Sequence, residues 1–391
     1  MLASSDKSLP SNTIDTNSHR MDTFLKSAVI FGANASGKTN VLLAINNLKR
    51  LVMQSHDNQK GTRLNYDPFR FDEKNIRSPT ICEIILIKNN LKYIYGISYN
   101  SERVIDEYLF YYPKGRKSLI FSRTDTLNYK FTTDIRKQKA IAEQTMKNVL
   151  FLSRSTQLNH EKTSVVFDWF KDDLYIIGPT DRLGWGKYTA EMLNDKEMKS
   201  IILHALSIAD IDIDDIEIKE ETISSEDLPT DFPEEILKLL QNGEGKSIQI
   251  KTLHKGIHFD FDEESEGTQR FFSLIGPWID ALKNGRILVV DELDTKLHHM
   301  LIEFLIKVFH DKEENKKNAQ IIFSTHDINL LDQRIFRRDQ IWFAVKDPDM
   351  SSTELYSLVE FKQRKDIDIK KRYLFGKYGA VPFIKGEKIV V

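Results

Sequence analysis

Two stretches of this chain hold residue types whose spacing suits phosphate chemistry. The first, Gly32-Ala33-Asn34-Ala35-Ser36-Gly37-Lys38-Thr39, matches G-x-x-x-x-G-K-[ST], and Asn40 follows it directly. In that pattern the glycines let successive backbone N–H groups turn inward around phosphate oxygens. Lys38 would neutralise the β and γ phosphates, and the Thr39 hydroxyl would face a Mg²⁺ ion. A helix that starts there adds the positive end of its dipole. At average residue frequencies such a match arises by accident in about one chain of this length in a hundred.

The second stretch is the apolar run Ile287 to Val290 followed by Asp291 and Glu292, a buried parallel strand with two carboxylates at its end. Phosphoryl transfer needs a placed nucleophile and neutralised charge more than it needs covalent chemistry. Asp291 would hold the metal through water, and Glu292 would orient or deprotonate the attacking water. An acidic strand end alone is ordinary in any α/β protein; the P-loop in the same chain selects the catalytic reading. A third apolar run, Ile321 to Thr325, ends in His326 and Asp327. It repeats the design and sets an imidazole, a group able to donate or accept a proton, at the same expected γ-phosphate. The expected cofactors are ATP and Mg²⁺, the expected reaction is ATP hydrolysis, and Lys38, Glu292 and His326 are its catalytic candidates.

These groups need elements to hold them. Ala28 to Phe31 is a short apolar run, broken by Gly32, that reads as a buried strand. From Thr39, the apolar positions Val41, Leu42, Ile45, Leu48, Leu51 and Val52 recur at helical spacing. Between Ile81 and Tyr112 the runs ICEIILI, YIYGISY and EYLFYY, parted by Asn89-Asn90 and Asn100-Ser101, predict an antiparallel meander. Residues 135–175 are richer in helix formers and predict a helical insertion. Asp210 to Glu244 is acidic, is broken by Pro229 and Pro233, and reads as a surface loop with a short helix. The strand-like run IQIKTLHKGIHFDF then opens the second half. The expected fold is α/β, a P-loop NTPase with a mixed central sheet, an antiparallel β subdomain and a helical lobe. Its expected divisions are 1–123, 124–247 and 248–391.

Composition narrows the function classes. With 40% hydrophobic residues in 391, the chain can bury a full core. Lys and Arg number 56 against 58 Asp and Glu, so no global field draws the molecule to nucleic acid or an acidic membrane. DNA contact would need a local patch such as Lys362-Gln-Arg-Lys365 or Lys370-Lys-Arg372, and a solvated helix face is the plainer reading of such runs. The single cysteine, Cys82, excludes an intramolecular disulfide and a cysteine-rich zinc cluster. No apolar run nears the roughly 20 residues of a membrane helix, and MLASSDKSLPSNT lacks the blocks of a signal peptide. The expected location is the cytoplasm, with no membrane partner.

The order of these motifs resembles that of ABC and SMC-like ATPase heads. Within that resemblance, Ser265-Glu266-Gly267-Thr268-Gln269 is similar to the ABC signature and departs from it at Glu264, where a leucine is commoner. The resemblance implies that Ser265, Gly267, Thr268 and Gln269 meet the γ-phosphate held by a second copy, again through N–H groups and a helix N-terminus. Leu293-Asp294-Thr295-Lys296-Leu297-His298 resembles the D-loop that crosses between two sites, which brings Asp294 to the nucleotide. His326 matches the switch histidine. Gln54 and Gln59 are weak candidates for the Q-loop glutamine.

More narrowly, GANASGKTN, ESEGTQRFFSLIGP, VDELDTKLHH, STHDINLLD, RRDQIWF and YLFGKYGAVPFI resemble the RloA/AbiL group of prokaryotic ATPases, which includes the AriA subunit of PARIS. The likeness spans nearly the whole chain. It implies a role in phage defence by abortive infection, a homodimer or larger homo-oligomer closed around composite ATP sites, and a separately encoded effector such as a Toprim or other nuclease. Members of that group open with a strand ahead of the segment that MLASSDKSLPSNT resembles. Here that strand is expected to be missing, with Met1 an internal or misassigned start and the sheet edge and adenine pocket incomplete. A RecF-like DNA-maintenance ATPase is the alternative. The pairs Asp260/Asp262, Asp347/Asp349 and Asp366/Asp368 have the spacing of nuclease metal ligands, but its recurrence shows how unspecific it is, so no built-in nuclease is expected. His298 and His299 lack a ligand-spaced partner and are not expected to bind metal.

Overall fold

The computed structural model describes residues 1–14, 23–222, 246–361 and 368–381. At its centre is the strand Ser27–Phe31, every residue of which is buried. Successive side chains point to opposite faces, so Val29 and Phe31 enter one core while Ile30 enters another. Gln320–Ser324 and Ile341–Lys346 flank this strand in parallel. Ile287–Val290 and then Leu174–Ile177 continue the parallel order on one side. Thr353–Ser357 closes the other side as an antiparallel edge. The six-stranded sheet is therefore mixed, as expected. Its inner strands read as unbroken apolar runs because both of their faces are covered.

One face packs against the helices Glu266–Asn284 and His299–His310, which supply Phe271, Leu274, Trp278, Ile302 and Phe309 to the core. The helix Arg182–Met192 lies against Glu266–Asn284 at Gly276, where an added Cβ would stand 2.9 Å from the Thr189 Cα. Only glycine allows that approach. The other face is covered by the helix Lys38–Gln54, which inserts Leu42, Leu48, Leu51 and Val52. Val41 and Ile45, read as part of the same stripe, pack at its margin.

Beyond that helix lies a five-stranded antiparallel meander, Thr80–Lys88, Leu91–Tyr99, Val104–Tyr111, Ser118–Thr124 and Asn128–Phe131. It runs two strands past the expected three, because Phe121 packs on Phe151 with ring centroids 4.6 Å apart. The buried Glu107 carboxylate accepts hydrogen bonds from the Phe151 and Leu152 amides (2.6 and 2.9 Å) and from the Tyr95 hydroxyl (3.0 Å). It ties the meander to the helices that follow, Phe151–Gln157 and Glu161–Asp168.

Residues 135–175, read as a helical insertion, carry the helices Ile135–Glu143, Phe151–Gln157 and Glu161–Asp168. Two strands were not foreseen: Leu174–Ile177, which begins as that segment ends, and Asp215–Thr222, within the stretch read as an acidic loop. The last of these pairs with Lys246–His254, which pairs in turn with Ile257–Asp260 in a three-stranded sheet. The acidic composition hid a period of two, in which Ile216 is buried between acidic neighbours. The rest of the acidic stretch, with Pro229 and Pro233, lies outside the described residues. Among the described residues no helix is long and apolar enough to cross a membrane.

Candidate nucleotide site

The loop from Gly32 to Gly37 leaves the central strand in close contact with its neighbours. A Cβ on Gly32 would stand 2.5 Å from the Ala344 carbonyl oxygen. Gly37 has φ of 97° and no room for a Cβ beside Thr353, so two separate constraints demand glycine there. The Thr353 hydroxyl donates to the Ser36 carbonyl at 2.9 Å, tying the edge strand to the loop. Ala35 is held at φ of 60°, another left-handed turn. Lys38 is buried, and its ammonium donates to the Gly32 and Ala33 carbonyls at 2.8 and 3.1 Å. Burial lowers its pKa, and the charges of Glu292, Asp291 and Asp294 oppose that shift. Three carboxylates therefore act on this one cation.

The strand ends facing the loop are stitched together by a residue that the motifs do not single out. The Ser324 hydroxyl donates to Asp291 Oδ1 at 2.5 Å and accepts from the Glu292 amide at 2.8 Å. Glu292 itself has φ of 49°, a strained backbone for a non-glycine residue. Its carboxylate accepts from the Thr295 hydroxyl at 3.3 Å and lies 3.9 Å from His326 Nε2. The His326 amide donates to the Asp294 carboxylate at 3.1 Å, so within one chain Asp294 fixes the backbone of the candidate switch histidine.

Asn34 to Asn40, Glu292 and His326 line a single cleft of about 1040 Å³. Asp291 lies behind Glu292, buried against Ser324. Gln54 and Gln59 do not line the cleft. Its remaining walls were not foreseen: Asn65, Asp67 and Phe69 to Phe71 on one side, Lys346, Ser351 and Thr353 on the other. The basic-aromatic string Pro68-Phe69-Arg70-Phe71 was the signal for the first wall. A second cleft, of about 1090 Å³, runs along Thr80–Lys88 and contains none of the phosphate-loop residues.

A triphosphate with Mg²⁺ fits the groups in this cleft. The Ser36 hydroxyl is buried without a hydrogen-bond partner in the loop itself. The Thr39 hydroxyl and Asp291 carboxylate are oxygen ligands of the hard kind that Mg²⁺ takes. Among the described residues no group of three or more His, Cys, Asp or Glu side chains could hold a metal, so phosphate oxygens and water would have to complete its shell.

The turn Ser265 to Gln269 does not line this cleft. Ser265 caps the helix Glu266–Asn284 by accepting from the Thr268 amide at 3.1 Å. Gly267 leaves room for the Lys296 carbonyl, 3.0 Å from where a Cβ would lie. The Gln269 amide is turned back onto the Glu264 and Asp262 carbonyls at 2.9 and 3.2 Å. Ser265 and Glu266 are exposed.

Other candidate groups have local structural roles. Asp347 accepts from the Asp349 and Met350 amides, and Asp260 caps a short 3₁₀ turn. Asp368 caps the helix Ile369–Leu374, while Asp366 and the run Lys362 to Lys365 lie outside the described residues. Lys370 donates to Asn329 at 2.5 Å.

A glycine-rich loop between a buried parallel strand and a helix, faced by one strand end bearing two carboxylates and another bearing a histidine, defines a P-loop ATPase-type domain of α/β class. Residues 27–332 match the family described as "AAA domain, putative AbiEii toxin, Type IV TA system", and the chain belongs to that family. Among solved structures it is similar to the SMC head bound to the C-terminal winged-helix domain of ScpA, with 14% identity over 86% of this chain and 91% of that one, at a TM-score of 0.43. The SMC head domain from Thermotoga maritima gives 13% identity, 86% and 92% coverage, and a TM-score of 0.37. The recombination mediator RecF with ATP gives 13% identity, 85% and 94% coverage, and a TM-score of 0.29. No curated protein sequence matches the chain.

Proposed function

We propose that this chain is an ATP-driven switch in which two copies close on two ATP molecules, each copy lending its Ser265 turn to the phosphates held by the other. The observation that carries this reading is the separation within one chain: Lys38, Glu292 and His326 share a cleft that the Ser265 turn does not reach. A second copy would bring that turn, with its backbone N–H groups and helix dipole, to the open side of the cleft.

In this reading the Lys38 ammonium leaves the Gly32 and Ala33 carbonyls for phosphate oxygens. Thr39 and Asp291 would hold Mg²⁺, which would supply neutralising charge to the phosphates. Glu292 orients the attacking water and takes its proton, and His326 faces the γ-phosphate beside it. Because the strained Glu292 backbone is held by Ser324, the base needs little rearrangement to act. The resemblance to the RloA/AbiL group adds a biological setting, control of a separately encoded nuclease or toxin in defence against phage.

The reading is tested by light scattering of the purified chain with ATP and Mg²⁺. Glu292→Gln is expected to accumulate an ATP-bound dimer while turnover falls by about 100-fold or more. Equal turnover in wild type and variant, or a monomer at saturating ATP in both, would overturn it.

A further inference from the structure

Glu264 stands directly before Ser265, at the position where the chain departs from the signature it resembles. Its carboxylate accepts from the Thr252 hydroxyl at 2.5 Å and lies 2.7 Å from His254 Nε2. Both partners belong to the strand Lys246–His254, and Thr252 is completely buried. The Glu264 carbonyl accepts from Gln269 in the first turns of the following helix. The side chain thus ties the turn back to the three-stranded sheet, while the main chain ties it forward to the helix. On the turn's other flank Lys296 pairs with Glu266, but those side chains are 48% and 59% exposed and such a pair holds little in water. A leucine at 264 could accept neither bond.

We propose that Glu264 is a positioning residue for the composite nucleotide site, holding the Ser265 turn in register through Thr252 and His254 and so coupling the three-stranded sheet to ATP-driven closure. This rests on the dimer reading above. Backbone donors aimed at an anion act best when they are fixed before it arrives, and a charge-assisted bond fixes them more firmly than a neutral one. The charges facing His254 are Glu264, from the turn, and Asp212, from the loop ahead of Asp215–Thr222. Both raise its pKa, Glu264 most. Lys255, next in the chain, is directed to Asp212 at 3.8 Å, and the Phe259 ring packs edge-on at 5.5 Å. The link is fully charged below the ordinary histidine range and weakens as pH rises through the raised value.

The test uses the full chain and two readouts: affinity for a fluorescent ATP analogue under conditions where the protein is monomeric, and ATP-driven association followed by light scattering across about pH 6 to 9. Wild type is expected to associate less readily as pH rises. Glu264→Ala should bind the analogue as wild type does, associate about tenfold less well and lose the pH dependence. Glu264→Gln should recover part of the association, with a flat profile, and His254→Gln should also flatten it. Should Glu264→Ala fail to fold, the profiles of Glu264→Gln and His254→Gln decide. Variants that associate like wild type with the same pH profile overturn this proposal alone. A wild type that never associates with ATP overturns the dimer reading, and this proposal with it.

Discussion

The Ser324 hydroxyl bonds the Asp291 carboxylate at 2.5 Å, joining the end of the strand Gln320–Ser324 to the end of its neighbour Ile287–Val290. The same oxygen accepts the Glu292 amide, so a single hydroxyl holds both the candidate metal-holding carboxylate and the backbone of the candidate base. Ser324→Ala leaves a buried acceptor and a backbone donor unmet, which costs about 1–3 kcal/mol. Turnover is expected to fall about 10- to 100-fold with nucleotide affinity nearly unchanged. Steady-state kinetics beside a urea melt checks both; unchanged turnover would remove Ser324 from the site.

Lys38 sits on the carbonyls of its own loop, and those bonds keep it aimed along the turn. Lys38→Ala should lower affinity for an ATP analogue by about 100-fold or more. The fold should persist, since the apolar stripe of the helix Lys38–Gln54 is untouched. Fluorescence titration and circular dichroism together separate loss of binding from loss of structure.

Gly276 allows the helices Glu266–Asn284 and Arg182–Met192 to touch. Gly276→Ala should destabilise the chain by about 1–3 kcal/mol through overpacking, although alanine is the better helix former. Adding Thr189→Ala should recover only part: it removes the hydroxyl nearest the added methyl but leaves the Thr189 Cα and Cβ, each 2.9 Å from it. Urea denaturation of the single and double variants measures this, and a stabilised Gly276→Ala would contradict the close approach.

His310 is buried under the P-loop strand, with Nε2 2.7 Å from the Ser27 hydroxyl. Burial, aided by the Lys26 ammonium, pushes its pKa down to about 3. An unfolded histidine titrates near about 6.5, so between these values the unfolded chain binds a proton that the native chain does not. This contribution to stability is complete above about pH 6.5 and is lost as pH falls toward 3. His310→Gln should reduce the acid slope of the urea midpoint by about one proton. An unchanged slope would show that the imidazole is protonated in place.

The candidate site was legible in the residues themselves. A loop this tight needs glycine at fixed places, and a buried strand that ends in acids needs an apolar run before them; both requirements act within a few residues, so Gly32 to Thr39, Asp291, Glu292 and His326 could be read in order along the chain. The parallel strands were legible for the same reason, since burial on both faces leaves an unbroken apolar run. Pairing across long separations was not legible. Ser324 became a link only when the sheet placed it beside Asp291, and Thr353 only when the antiparallel edge folded onto Gly37. The strands Leu174–Ile177 and Asp215–Thr222 were settled by neighbours far away in sequence, because a strand of four to eight residues gains its hydrogen bonds from its partners and carries few signals of its own. The departure at Glu264 was visible as a mismatch. Its meaning, a carboxylate bound to Thr252 and His254, depends on a sheet that tertiary packing alone brings against the turn.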